Sequence, residues 1–273
     1  GHEARAKLID GLARHHTVLS YDQRGTGRSD RVARQGHTIE ELTLDVLALM
    51  DVASFSQAQV IGISTGTGKA TVLAASYLAR DDASDLLVIG TGTLAPYMVR
   101  AYCAMRPAIT RVRIWGRTPS RAAALAHALA SEGLPVEACP GNLDALRVAL
   151  AASHIVCAAT TSRTPMVEGA WLSSGTHVDL VGGFTPAMRE ADDDTMCASR
   201  IVVDSYDGAL SEAGDLIDPL ARGVFPRGQV VAELCELVAG TIPGRTDRAQ
   251  ITLFKSVGLA LEDLAAATLV CGA

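Results

Sequence analysis

The stretch Asp85-Leu-Leu-Val-Ile-Gly90-Thr-Gly92-Thr-Leu-Ala95 decides the fold of this 273-residue chain. A short apolar run is followed by the spacing GxGxxA and then by residues that favour a helix. In a strand–turn–helix unit, Gly90 permits the tight turn, Gly92 lets the backbone approach a pyrophosphate, and Ala95 lets the helix pack on the strand. The free N–H groups at the helix N-terminus then face the phosphates. The stretch therefore predicts a dinucleotide-binding unit.

The end of the following strand indicates which dinucleotide is bound. Proteins that select NAD usually place Asp or Glu there, where it accepts hydrogen bonds from the ribose 2′-hydroxyl. This chain instead reads Ile114-Trp-Gly-Arg117-Thr-Pro-Ser-Arg121. No carboxylate repels a 2′-phosphate, and both arginines can pair with one. We therefore expect NADPH rather than NADH, the alternative being two solvated arginines at the start of a helix.

Strand-like and helical runs alternate along the whole chain. This alternation favours an α/β fold with a Rossmann-type doubly wound parallel sheet covered by helices. The expected helices lie at 3–13, 38–52, 67–80, 94–105, 119–131, 229–239 and 258–270. The expected strands lie at Thr17–Tyr21, Gln57–Ile63, Leu86–Ile89, Val112–Trp115, 154–159, 177–181, around Val202 and Val203, and at Ile251–Phe254.

Composition and charge argue against several classes of protein. The net charge is −6 without any block of like charge, so we expect neither nucleic acid nor an acidic membrane as a partner. No apolar run reaches the roughly 18 residues of a membrane helix, and the charged stretch Glu3–Leu12 does not resemble a signal peptide. The six cysteines are far apart and lack CxxC spacing. That pattern favours reduced thiols in a cytoplasmic protein, without a metal site.

Six motifs follow one another between residues 77 and 258. They are Tyr77-Leu-Ala-Arg80, Val88-Ile-Gly-Thr-Gly-Thr-Leu-Ala-Pro96, Val178-Asp-Leu-Val-Gly-Gly-Phe-Thr-Pro-Ala-Met-Arg-Glu190, Val202-Val-Asp-Ser-Tyr206, Glu212-Ala-Gly-Asp-Leu216 and Phe254-Lys-Ser-Val-Gly258. In these motifs and their order, the sequence from about residue 70 onward resembles the ornithine cyclodeaminase/μ-crystallin family. The resemblance implies a Rossmann domain in which the segment Lys255–Gly258 faces the nicotinamide. It also implies a small amino, imino or keto acid as substrate and a homodimer as the assembly.

One departure from the family's cyclodeaminases concerns the residue after Gly182-Gly183. Cyclodeaminases carry an Asp there, whereas this chain has Phe184, which can neither transfer a proton nor hold an ammonium group. The segment Phe184–Glu190 resembles the branch that reduces Δ1-pyrroline-2-carboxylate and similar ketimines. The expected function is therefore the NADPH-dependent reduction of a small cyclic imino acid to a product such as L-proline. A non-catalytic NADP-binding module is the alternative, since the family's usual N-terminal substrate platform is not visible.

Residues 5 to 68 instead resemble an α/β-hydrolase. Gly62-Ile-Ser64-Thr-Gly66 has the GxSxG pattern of a nucleophile elbow. We therefore predict a hydrolase-like segment at 1–68, followed by an NADP-binding Rossmann domain at 69–273. A serine esterase that uses Ser64 is a further alternative. However, the earlier oxyanion loop is not visible, and the later histidines, His127, His154 and His177, fall in the Rossmann part.

The catalytic residues stay open, with Lys69, Arg189 and Ser256 as candidates for a reductase and Ser64 for a hydrolase. Lys69 has the alternative of a solvated helix residue, and Arg189 that of a partner of Glu190. The residues expected to contact the cofactor are Gly90, Thr91, Gly92, Thr93, Leu94, Ala95, Arg117, Thr118, Arg121, Thr160, Val181, Ser256 and Gly258.

Overall fold

A computed structural model describes Val52 and residues 67–258, with side chains from residue 70 onward in the longer stretch. The chain divides into two compact units, Gly1–Gln59 and Val60–Ala273, and residues 67–258 belong to the second. The expected elements at 3–13, Thr17–Tyr21, Gln57–Ile63 and 258–270 lie outside the described residues, as does nearly all of the helix at 38–52. The domain boundary after residue 68 stays a prediction.

Within residues 67–258, eight parallel strands form a single sheet in the order β3-β2-β1-β4-β5-β8-β6-β7. The chain passes outward from β1 through β2 to β3, and then continues on the other side of β1 with β4 and β5. The strands are β1 (Asp85–Ile89), β2 (Arg111–Trp115), β3 (Val136–Ala138), β4 (Ile155–Ala158), β5 (His177–Leu180), β6 (Ser199–Val203), β7 (Val230–Glu233) and β8 (Ile251–Lys255).

Helices cover both faces of this sheet. Residues of α1, α2 and α3 join the hydrophobic cluster on one face, and residues of α4, α5, α6 and α7 join the cluster on the other. The helices are α1 (Thr67–Leu78), α2 (Leu94–Met105), α3 (Pro119–Ser131), α4 (Leu143–Ala151), α5 (Asp193–Ala198), α6 (Tyr206–Glu212), α7 (Gly214–Ala221) and α8 (Leu234–Val238).

Strand β1 is apolar because it is covered on both sides. Leu87 and Ile89 point into one cluster, whereas Leu86 and Val88 point into the other. Since the side chains of a strand alternate between its two faces, a run of four apolar residues is what a central strand requires. All four are fully buried. The expected doubly wound parallel sheet is confirmed.

The sheet also places a crevice beside β1. The chain leaves β1 toward β2 and leaves β4 toward β5, on opposite sides of the β1–β4 pair. In doubly wound sheets a ligand binds outside the carboxyl ends of the strands, where the order reverses in this way. The segments after β1, β4 and β5 therefore surround the candidate site.

The expected helix at 229–239 is wrong in its first half. Residues Val230–Glu233 form β7, which pairs with β6, and only Leu234–Val238 is helical. The side chains of β7 alternate between buried and half-buried. This period of two, with two consecutive β-branched valines, is typical of a strand. The apolar run forms a strand followed by a short helix, whereas the sequence analysis predicted a single helix.

Three further features bear on the class of protein. None of the helices in the part of the chain that the structure describes is long and apolar enough to cross a bilayer. Within the same residues, no group of three or more His, Cys, Asp or Glu side chains is placed to hold a metal ion. The five cysteines in this part, Cys103, Cys139, Cys157, Cys197 and Cys235, are free thiols.

Candidate functional site

The turn between β1 and α2 has the shape that a bound pyrophosphate needs. Gly90 has a φ of 123°, and the Cβ of an alanine there would lie 2.5 Å from the carbonyl oxygen of Ala159. No described atom lies within 4 Å of the place where residue 92 would carry a Cβ. Space above Gly92 is therefore open to a ligand at the N-terminus of α2. Ala95 is fully buried, as the close packing of helix and strand requires.

The end of β2 lies beside this turn. A Cβ at Gly116 would stand 2.7 Å from the Thr91 side chain, so the two segments are in contact. The next residues, Arg117 and Thr118, are exposed, and so is Arg121 in the first turn of α3. Within the described residues, neither arginine has an ion-pair partner. The turn and the two free guanidinium groups together fit a dinucleotide that carries an additional phosphate.

The loops after β4 and β5 are joined by one carboxylate, that of Glu190. Its Oε1 accepts hydrogen bonds from the backbone N–H of Thr160 (2.7 Å) and from the hydroxyl of Thr160 (2.9 Å). Its Oε2 accepts from the N–H groups of Gly182 (2.8 Å) and Gly183 (3.1 Å). Glu190 is fully buried. These four bonds bring together two loops that precede and follow β5.

A second buried carboxylate and a lysine lie against this cluster. Asp215 in α7 accepts hydrogen bonds from the backbone N–H groups of Glu190 (2.7 Å) and Ala191 (3.0 Å). Its other oxygen is 3.5 Å from the ammonium group of Lys255, which also donates to the carbonyl of Leu180. Burial raises the pKa of Glu190 to about 7, and Asp215 acts in the same direction, while Lys255 and the hydrogen bonds act against it.

The segment after β8 is held by a carboxylate at the end of β6. Oδ2 of Asp204 accepts hydrogen bonds from the hydroxyl of Ser256 (2.9 Å) and from the N–H groups of Val257 (2.7 Å) and Gly258 (2.8 Å). Gly258 has a φ of 95°, which favours glycine. Ser256 therefore lies at the same edge of the sheet as the loops after β4 and β5, with its hydroxyl proton directed to Asp204.

The candidate catalytic residues differ in what the structure places around them. Lys69 belongs to α1, but its side chain lies outside the described part, as does Ser64. Arg189 is bound by Asp193 and Asp218, with 2.8 Å contacts to each, and it is not a partner of Glu190 as the sequence suggested. Its pairing with two carboxylates does not favour a role in holding a substrate anion.

Two of the histidines have structural contacts that account for them. His177 is fully buried in β5, where its Nε2 is 3.2 Å from Asp179 and its Nδ1 is 3.0 Å from the hydroxyl of Thr252. The Nδ1 of His154 accepts a hydrogen bond from the backbone N–H of Ser84 at 3.1 Å. His127 is exposed on α3. None of these contacts favours a partner for a serine nucleophile.

Sequence reasoning missed the buried charged residues Glu190, Asp204, Asp215 and Lys255. Each stands in one of the family-like motifs, where the sequence analysis assigned no site role to these four charged side chains. A charged residue directly after a buried strand, as at Asp204, or as its last residue, as at Lys255, is a usable signal because such charges are seldom buried unless paired. Glu190 contacts Thr160, the pair Gly182-Gly183 and Asp215, and no sequence pattern around Glu190 predicts these contacts.

The first prediction concerns Gly182, because there the two loops touch. A Cβ at this position would lie 1.8 Å from the carbonyl oxygen of Thr160. We expect Gly182→Ala to lower the free energy of unfolding by about 3 kcal/mol, since the loop must move and loses its hydrogen bond to Glu190. Urea unfolding measures this. Gly228→Ala is the control, as no described atom lies within 4 Å of its Cβ position. Equal stability of the two variants would contradict the expectation.

A parallel doubly wound sheet with an open glycine turn at its switch point defines a Rossmann-type dinucleotide-binding protein. The sequence matches the ornithine cyclodeaminase/mu-crystallin family profile over residues 46–272, and the chain belongs to that family. This match begins at residue 46, inside the segment 1–68 that resembles an α/β-hydrolase. The resemblance of that segment to a hydrolase stays a prediction.

Relatives and solved structures agree with this assignment. The Δ1-pyrroline-2-carboxylate reductase of Paracoccus denitrificans is 40% identical over 204 residues, which cover 75% of this chain and 63% of the relative. The structure of Thermococcus litoralis Δ1-pyrroline-2-carboxylate reductase in complex with NADH and L-proline has a TM-score of 0.70 and 38% identity, covering 76% of this chain and 65% of that one. An archaeal alanine dehydrogenase dimer with bound NAD has a TM-score of 0.68 and 30% identity, covering 75% and 61%.

The match to these proteins is partial on their side. This chain spans 63% of the length of the Paracoccus denitrificans reductase. The family match over residues 46–272 contains the glycine turn, the two glycines after β5 and the segment after β8. The relatives' remaining residues lie outside the match. Their contribution to the relatives' activity therefore cannot be assigned to this chain.

Proposed function

We propose that this protein is an NADPH-dependent reductase of a small cyclic imino acid of the Δ1-pyrroline-2-carboxylate type. The observation that carries the proposal is the carboxyl edge of the sheet, where an open glycine turn, two free arginines and three clamped loops meet. Membership of a family with relatives named Δ1-pyrroline-2-carboxylate reductase supports the substrate class. NADH is present in the Thermococcus litoralis complex, so the preference for NADPH rests on this chain's own residues.

Each segment of the edge has a part in holding the cofactor. The turn from Gly90 to Ala95 binds the pyrophosphate with its N–H groups, and Arg117, Thr118 and Arg121 bind the 2′-phosphate. At the nicotinamide end the cofactor is held by Thr160, Val181, Ser256 and Gly258. When bound, the cofactor supplies the hydride that reduces the carbon of the C=N bond. The protein's own share is to orient the two molecules and to exclude water.

Phe184 directs the reaction toward reduction. Its side chain is 48% exposed, in the loop after β5 that carries Gly182 and Gly183. A phenyl group offers no proton and no charge to a leaving amine, so the loop can cover an apolar ring but cannot assist deamination. We therefore expect no release of ammonia from L-ornithine.

Among the candidate catalytic residues, we assign the role at this edge to Ser256, which follows β8. Because its hydroxyl proton is donated to Asp204, its oxygen is free to accept a hydrogen bond. Such an acceptor suits a protonated imine or a carboxamide N–H group. Lys69 is proposed as a group that binds the substrate carboxylate, since its α1 helix packs on α2. A homodimer and a cytoplasmic location complete the proposal, the first by analogy with the alanine dehydrogenase dimer.

The test is an assay of NADPH oxidation with the purified 273-residue chain. We expect oxidation with Δ1-pyrroline-2-carboxylate and no release of ammonia from L-ornithine; the relative from Thermococcus litoralis, assayed with NADH, is the positive control. Binding of NADPH without turnover on a panel of cyclic imines and keto acids would overturn the catalytic proposal.

Absence of turnover would favour the second candidate, a non-catalytic NADP-binding module. The observation that favours this second candidate is that Arg189, a candidate group for the substrate anion, is already paired with Asp193 and Asp218. Hydrolysis of a p-nitrophenyl ester that is lost in Ser64→Ala would instead indicate the hydrolase.

A further inference from the structure

The carboxylate of Glu190 lies between the loops that follow β4 and β5. Four donors point at its two oxygens, two from Thr160 and one each from Gly182 and Gly183. The distance between these loops is short, since a Cβ on Gly182 would overlap the backbone of Thr160. A small displacement of one loop is therefore transmitted to the other.

We propose that Glu190 is a positioning residue whose ionised carboxylate holds these two loops in the arrangement that binds the nicotinamide end of the cofactor. The inference rests on the proposed function, because it assigns the nicotinamide end to this edge. Glu190 is fully buried and therefore acts through the loops, without contact with solvent. Its own backbone N–H is fixed by Asp215, which sets the point from which the side chain extends.

The arrangement needs the negative charge. Oε2 of Glu190 accepts two backbone N–H bonds, so a proton there would find only donors, and a proton on Oε1 would be accepted only after the Thr160 hydroxyl changed from donor to acceptor. Lys255 from β8 faces the carboxylate and favours the charged form, whereas burial and Asp215 from α7 oppose it. The thiol of Cys157 in β4 also lies close to Glu190, and burial, Asp179 and Glu190 raise the pKa of this thiol. A glutamine would turn its NH₂ group toward at least one N–H donor in either orientation.

The arrangement also needs the length of a glutamate. The backbone of residue 190 is held by Asp215, and an aspartate would withdraw its carboxylate by about 1.5 Å, the length of one carbon–carbon bond. At that distance it cannot bond to both loops. Glu190→Gln thus removes the charge and keeps the length, and Glu190→Asp removes the length and keeps the charge.

The first measurement is hydrogen exchange of the backbone amides without any nucleotide. We expect peptides that contain Thr160, Gly182 and Gly183 to exchange about tenfold faster in both Glu190 variants, since these amides lose their acceptor. Glu132→Gln is the matched control, because Glu132 is an exposed glutamate that pairs with Arg100 far from these loops in the sequence. This control should leave the exchange of the same peptides unchanged.

The second measurement is the dissociation constant of the more tightly bound nucleotide between pH 6 and pH 8. With a pKa of about 7 for Glu190, the ionised fraction falls from about 0.9 to about 0.1 over this range, so the wild-type constant should rise about tenfold on acidification. Glu190→Gln should bind about tenfold more weakly at pH 8 and lack this dependence. Dividing the dissociation constant of the variant by that of the wild type at each pH cancels the effect of the nucleotide's own titration.

The outcomes separate the inference from the proposed function. If the wild-type protein binds no nucleotide, the proposed function fails. The amide exchange data then still show whether the Glu190 carboxylate holds the two loops. If wild type binds and Glu190→Gln matches it in affinity, pH profile and amide exchange, the inference is overturned. Should neither Glu190 variant fold, the pH profiles of wild type and Glu132→Gln decide, measured with NADH, which has no group that titrates between pH 6 and pH 8: flat profiles overturn the inference, and a tenfold loss in both supports it.

Discussion

Replacing Arg117 by alanine is expected to weaken NADPH binding by about 10- to 100-fold and to leave NADH binding nearly unchanged. A hydrogen bond to a charged group contributes about 1.5–3 kcal/mol, and Arg117 is expected to make one or two of them to the 2′-phosphate. The guanidinium is exposed at the end of β2, so its removal should not affect the fold. Titration of both nucleotides, followed by quenching of tryptophan fluorescence, measures the two affinities.

The controls for this prediction are two other arginines. Arg121→Ala should weaken NADPH binding in the same direction, and the double variant should bind both nucleotides alike. Arg227 is also exposed, but it lies just before β7 and thus at the opposite edge of the parallel sheet. Arg227→Ala should leave both affinities unchanged. If Arg117→Ala and Arg121→Ala reduce neither affinity, the two arginines are solvated residues and the expected NADPH preference is wrong.

Replacing Gly92 by alanine is expected to abolish most nucleotide binding without destabilising the protein. The position of the new Cβ has no described atom within 4 Å, so the methyl group meets no protein neighbour. It would instead occupy the space that the pyrophosphate needs near the N–H groups of the turn. We expect both NADPH and NADH to bind at least about 100-fold more weakly, a loss of roughly 3 kcal/mol.

The matched control for Gly92 is Gly228. It also has no described atom within 4 Å of its Cβ position, but it precedes β7 at the opposite edge of the sheet. Both alanine variants should retain the wild-type midpoint of thermal unfolding, and only Gly92→Ala should lose binding. Unchanged affinity of Gly92→Ala would show that the pyrophosphate does not lie over this turn.

The strand–turn–helix unit at residues 85–105 could be predicted in full from the sequence. Its signal is local, because four buried apolar residues, two glycines at fixed spacing and an alanine each have a separate physical reason. The structure confirms β1 and α2 with bounds that agree with the prediction to within one residue. The strands β2, β4, β5, β6 and β8 were likewise predicted, since each is a short segment that contains at least two apolar residues.

The sequence was less informative where short elements follow one another without a break. The helix at 229–239 was wrong because two valines of β7 run directly into α8. Helix α4 was missed, although Asn142 caps its first turn and Leu146, Ala149 and Leu150 give it an apolar face. The strand β3 has only three residues, with two of them exposed, and carries no clear pattern.

The contacts among the buried charges of the site could not be predicted from the sequence. Glu190, Asp215 and Lys255 lie on different elements, and their contacts depend on the order of the strands in the sheet. In particular, β8 inserts between β5 and β6, which brings Lys255 beside Leu180. No periodicity along the chain encodes that insertion, so only the assembled sheet reveals the cluster.

The central claim is hydride transfer to a cyclic imine, and the transfer of an isotope tests it most directly. The purified chain is incubated with Δ1-pyrroline-2-carboxylate and NADPH that carries deuterium at both transferable positions of the nicotinamide ring. We expect L-proline that is one mass unit heavier, with the deuterium on the carbon next to the carboxylate. If the nucleotide binds but no deuterated proline forms, while the Thermococcus litoralis enzyme produces it from the same imine and NADH that carries the same label, the protein is not a reductase of this imine.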